Sequence, residues 1–225
     1  MSHSALVRLL QICSSALPVG SFAYSNGLES VIESGRIDGV ESLVGYLSTL
    51  LLEALGRLDL PRLLRMHRAL LAKDPIEVSR QSAWLYAARE SAEFQAQERQ
   101  TAQSLFKILV ELRAVDSVVP FDPKQKPTTY AESFALAAVA FEVDEHACLL
   151  GYAFAWADSH TSAAAKLLSL GPIATQRVLS ALVSRLSALV ESVYDLPEEE
   201  IGASTPGLGI ASARHETQYC RLFRS

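Results

Sequence analysis

Histidine and cysteine are the side chains best suited to holding a metal or moving a proton near neutral pH, and this chain of 225 residues carries 5 and 3 of them. His3, His67, His146, His160 and His215 include no two at the spacing that sets a pair of ligands on one helix. His67 falls on the face of Leu60, Leu63 and Leu64, and reads as a core or boundary residue rather than a ligand. Cys13, Cys148 and Cys220 are odd in number and lack a CxxC pair, which suits reduced thiols. His215 and Cys220 have soft-metal chemistry, but a terminal tail supplies no preorganised shell. The chain has no GxxxxGK[ST] loop, GxSxG elbow, HExxH helix or paired DDxxD carboxylates, and Gly207-Leu208-Gly209 is half of a dinucleotide fingerprint with no strand before it. No catalytic group, directly bound cofactor or metal site is therefore expected.

Two charged residues carry double readings. Glu29 stands three residues after Asn26, the spacing of an N-cap and its N3 carboxylate, and a partner contact is compatible with that role. Lys166 lies toward the C-terminal end of Ala163-Ala164-Ala165-Lys166-Leu167-Leu168, where a cation offsets the helix dipole. A lone lysine among small apolar residues also suits an anchor for an acidic partner.

The elements that must position these residues read as helices. An apolar helix from about Leu6 must stop near Pro18, a glycine-flanked loop follows, and Leu28, Val31, Ile32 and Gly35 then share one face. Val40, Leu43, Leu47, Leu50, Leu51 and Leu55 hold a stripe to about Gly56, and Asp59-Leu60-Pro61 predicts a new helix start. From Ile76 the pattern runs unbroken to about Ala114, with a polar stretch over Arg89–Gln100 that is solvated or meets a partner. Val115–Thr129 contains three prolines, which predicts a mobile, non-helical connection. Apolar helices follow at Ala131–Phe141 and Asp144–Ala157, then one from Asp158 closed by Gly171-Pro172, then Ile173–Tyr194. Beyond Tyr194 an acidic, then Gly/Ser/Thr/Pro-rich stretch predicts no packed helix through Gly209, and the basic-aromatic tail reads as a segment that orders on a partner.

Composition narrows the class. Apolar residues make up 49% against 20% charged, and mean hydropathy is +0.18, so either the core is large or apolar surface awaits a partner. A net charge of -5 and a pI near 5.6 favour neither nucleic acid nor an anionic membrane. The N-terminus has no basic region before an apolar one, and the runs Phe134–Phe141 and Ala147–Ala157 fall short of the about 20 residues that span a bilayer. A cytoplasmic, all-α single-domain bundle of roughly ten helices is expected, with a helical part at 1–194 and a linker and tail at 195–225.

The order Leu17-Pro18-Val19-Gly20, Ser25, Gly27-Leu28-Glu29 resembles the signature of the urease accessory protein F (UreF) family. Arg89-Glu90 through Glu98-Arg99, Trp156 with Ala163–Gly171, Gln176 and the stretch Ile210–Ser225 are similar to that family's other segments, in the same order. Ser21, Asn26, Asp158, Pro172 and Cys220 depart from it. The resemblance implies an all-α, non-enzymatic, dimeric adaptor in maturation of the nickel enzyme urease. It binds UreD (UreH), which docks it to apo-urease, and recruits UreG, the GTPase that handles nickel and GTP. Carried over, Pro18, Gly20, Tyr24, Ser25, Gly27, Glu29 and Lys166 would face UreG. Arg214, His215, Glu216, Tyr219, Arg221, Leu222, Phe223 and Arg224 would engage UreD. The rival readings from the residues are a helical-bundle enzyme with an apolar pocket and a membrane-surface helix protein; the second would need basic polar faces that are not seen.

Overall fold

Small side chains decide where the longest inner helix can lie. The computed structural model describes residues 1–118, 126–202 and 205–224, and α8 (Glu145–Leu167) runs through its middle. Asp144 caps it, its Oδ1 accepting from the Ala147 N–H at 2.9 Å. Gly151, Ala153, Ala157 and Ala164 on α8 are buried, so neighbouring helices approach closely: α1 (His3–Cys13), α2 (Leu28–Glu33) and α9 (Pro172–Tyr194). A Cβ added to Gly151 would lie 2.5 Å from Leu9 Cδ1 and 2.9 Å from Cys13 Sγ. Gly151→Ala should therefore force α1 and α8 apart and cost about 1–3 kcal/mol. A fall in the urea midpoint at unchanged slope would register it, and an unshifted midpoint would mean that α1 yields freely.

The remaining helices close around α7 (Tyr130–Ala140), which is buried from Ala131 to Ala138. Phe134, Leu63, Leu105 and Leu149 belong to the core around it, built with α4 (Leu60–Leu71) and α6 (Ala92–Glu111). A second core joins Leu28, Leu43, Leu47, Ala164, Val178, Leu182 and Ala211. These come from α2, α3 (Val40–Leu50), α8, α9 and α10 (Pro206–His215). The all-α expectation holds, with no strand among the described residues.

Several expected boundaries move, each for a local reason. No new helix starts at Asp59: α3 continues through a π-helical stretch, Leu51–Asp59, directly into α4. Pro61 has no N–H to give the Arg57 carbonyl, and that carbonyl accepts instead from Gly202 at 3.0 Å. The expected unbroken helix from Ile76 is two, α5 (Pro75–Ala87) and α6, because Ser91 is extended and its Oγ caps the second by accepting from the Phe94 N–H. Asp158 starts nothing, since α8 runs through it; Ser169, not Gly171, adopts the left-handed turn that ends α8, and Gly171 precedes α9. Val115–Ser117 forms one 3-10 turn, while the mobility expected of the connection falls largely on residues 119–125, outside the described residues.

The segment after Tyr194 departs most from expectation. Glu198 pairs with Arg62 at 3.1 Å and with Arg65, Glu200 pairs with Arg57, and Ile201 is buried. A packed helix, α10, then starts at Pro206, inside the stretch expected to be irregular. The apolar excess goes into a large core, and Val7, Leu10, Ile76 and Ile173 remain exposed. Among the described residues α9 alone is long and apolar enough to cross a membrane, although Val178, Leu182, Leu186, Leu189 and Val193 commit one side of it to the core.

Candidate partner interface

The loop from Ser14 to Gly27 is shaped by backbone angles that few side chains accept. Gly20 and Gly27 have φ of 81° and 74°, and between them lie a 3-10 turn at Ser21–Ala23 and Asn26, also left-handed at 55°. Pro18 is exposed there. Asn26 does not cap α2: its Oδ1 accepts from Gln97 Nε2 at 2.7 Å, and Ser25 Oγ accepts instead from the Glu29 N–H at 3.2 Å. Tyr24 donates its hydroxyl to Gln100 on α6. A Cβ on Gly27 would meet Leu208 Cδ1 at 3.2 Å and the Ser212 nitrogen at 3.5 Å, so α10 lies directly over this turn.

Glu29 is 7% exposed, and its carboxylate is occupied by the end of the chain. Oε1 accepts from the Leu222 N–H at 2.7 Å, and Oε2 from the Phe223 N–H at 2.9 Å. His215, fully buried, sets Nε2 3.2 Å from Glu29 Oε2 and Nδ1 3.0 Å from Glu93 Oε2. Arg221 reaches Glu93 at 3.3 Å, the Arg224 N–H donates to the Ala23 carbonyl at 2.8 Å, and the Phe223 ring lies 5.7 Å from Lys166 Nζ. Lys166 occupies the last turn of α8, where it also opposes the helix dipole. The loop, Lys166 and the tail, separate in the sequence, thus form one surface. Arg214, Glu216, Tyr219 and Leu222 point outward from it, while His215 and Phe223 point in.

The polar stretch from Arg89 is only partly solvated: Glu90, Arg99 and Gln100 are exposed, while Arg89, Ser91, Glu93 and Glu98 are turned to contacts within the chain. Arg89 bridges the buried carboxylates of Asp59 and Glu98, donating through Nε to Glu98 at 2.8 Å. Burial pushes its guanidinium down, and the two carboxylates outweigh that and hold it well above its usual value. Glu90 accepts from Thr205, Ser91 Oγ lies 2.7 Å from Ser212 Oγ, and Glu93 holds His215. Sequence reasoning missed these roles, although a run of polar residues between two apolar stretches and the family resemblance of Arg89-Glu90 through Glu98-Arg99 both marked the segment.

Beneath the loop lies a cavity of about 200 Å³ lined by Cys13, Tyr24, Arg89, Tyr152, Trp156 and His160, among others. Burial lifts the Cys13 thiol to about 12 and Tyr152 well above its ordinary value. It also lowers His160 to about 4, against the opposing bond to the Trp156 carbonyl. Burial therefore favours the uncharged form of each of these groups at neutral pH. Among the described residues no three His, Cys, Asp or Glu side chains converge as a metal site. The arrangement offers a shaped, hydrogen-bonded surface.

The family model UreF matches residues 37–183. Whole-length similarity reaches further, covering both the loop and the tail. The urease accessory protein UreF of Hahella chejuensis is 38% identical over 225 residues, 100% of both chains. That of Chromohalobacter salexigens is 40% identical over 222 residues, 98% of this chain and 95% of the relative. That of Methylobacillus flagellatus is 37% identical over 227 residues, again 100% of both.

Proposed function

The chain belongs to the UreF family of urease accessory proteins, and from that premise we propose a non-catalytic, cytoplasmic adaptor that assembles the complex loading nickel into urease. Its tail binds UreD (UreH) and so reaches apo-urease. The loop at Pro18–Glu29, together with Lys166, receives UreG, and the adaptor works as a homodimer. Nickel and GTP stay with UreG, whose phosphoryl chemistry it regulates by position.

The observation that carries this reading is the joined surface. Tyr219 and Leu222 are held outward by a tail whose own anchors, His215 and Phe223, are buried against Glu29 and Lys166. Exposed aromatic and aliphatic side chains on an ordered backbone suit a protein interface, where such anchors concentrate binding energy.

Size-exclusion chromatography of the chain with UreD, and then with UreD and UreG, should give co-eluting species. Deleting Arg214–Ser225 should abolish the complex with UreD. Recovery of UreD by the truncated chain would refute the tail assignment, and turnover of a substrate by the chain alone would refute the adaptor reading.

A further inference from the structure

Helix α10 has little reason to form unaided. Its ten residues, PGLGIASARH, include two glycines, and no side chain of its own caps its first turn. The missing cap comes from another element. Glu90, in the turn between α5 and α6, places Oε1 3.1 Å from the Thr205 nitrogen and Oε2 3.4 Å from Thr205 Oγ1. A carboxylate there accepts an otherwise unpaired donor and opposes the positive end of the helix dipole. The fit is close: a Cβ on Gly209 would lie 3.0 Å from both Cβ and Oε2 of Glu90. One residue on, Ser91 grips the middle of the same helix through Ser212, so adjacent side chains fix its start and its rotation.

We propose that Glu90 is a positioning residue for partner capture: it caps α10 from outside and so sets where His215 and the tail emerge. This rests on the reading above that the tail binds UreD. Glu90 is itself exposed, so its role is separable from that of the half-buried Arg89 beside it.

The test uses the full chain with Glu90→Ala and Glu90→Gln. Amide exchange of Leu208–Ser212 should quicken about fivefold in Glu90→Ala, the factor a lost helix cap commonly carries, while exchange in α5 and α6 stays as it was. Affinity for purified UreD should fall by a similar factor. Glu90→Gln keeps an acceptor without the charge and should fall between. Unchanged α10 exchange in Glu90→Ala would overturn the proposal, as would weaker UreD binding with α10 protection intact, which would make Glu90 a direct contact. Loosened α10 with unaltered UreD affinity would also overturn it. Truncation at Arg214 separates the two levels: if UreD still binds the truncated chain, the tail assignment fails irrespective of Glu90.

Discussion

Arg89→Ala is expected to destabilise the fold by about 3–5 kcal/mol, the usual cost of removing one partner from a buried ionic cluster. Asp59 and Glu98 are both nearly enclosed, and Arg89 is the cation that neutralises them. Glu98 is committed on its other side, where Oε2 accepts from the Tyr130 N–H at 2.8 Å and so ties α6 to the start of α7. Losing the guanidinium strands two carboxylates in a low-dielectric site and loosens a helix junction at once. Arg89→Lys should recover little, because a point-like ammonium cannot span two carboxylates as a planar fork does. Urea denaturation measures the loss; a change below about 1 kcal/mol would show that water enters and solvates the pair. Replacing all three charges by apolar residues of similar volume should cost less than Arg89→Ala, since no charge is then left unpaired.

The helical plan was legible because it depends on short-range periodicity. Val178, Leu182, Leu186, Leu189 and Val193 form the expected stripe, and all are buried. Three features escaped for one shared reason: at least one partner of each lies far along the chain. The Arg57 carbonyl left free by Pro61 is satisfied by Gly202, so the acidic stretch between them packs down as a strap. Helix α10 has poor intrinsic propensity, and its cap sits in the α5–α6 turn. Arg89 looked solvated because its neighbours are polar, whereas both of its carboxylates are inside. Family resemblance marked Glu29, Lys166 and the tail, but residue matches carry no distances. That the tail folds back onto Glu29 is visible only in three dimensions.

Glu29→Ala should detach the tail while leaving the helical body intact. Two backbone N–H groups donate to this carboxylate, and hydrogen bonds to a charged acceptor contribute about 1.5–3 kcal/mol each. Since the two bonds share one side chain and are not additive, a loss of about 2–3 kcal/mol in tail docking is the reasonable expectation. That corresponds to roughly a hundredfold rise in the detached population. Glu29→Gln should be almost as damaging. Its amide offers one acceptor and one donor, so either Leu222 or Phe223 would point its N–H at an NH₂ group. Lys166→Ala provides the contrast, because it removes only an exposed cation over the Phe223 ring and should shift docking by about 0.5–1 kcal/mol. Amide exchange at Leu222 and Phe223, with tryptic cleavage at Arg221 as a second readout, distinguishes the cases in the free chain. If UreG recruitment fails in Glu29→Ala while those amides stay protected, Glu29 meets the GTPase directly. If protection and recruitment are lost together, the tail is part of the surface that UreG reads. Unchanged protection and recruitment would remove Glu29 from both roles, leaving the contact between loop and tail without functional weight.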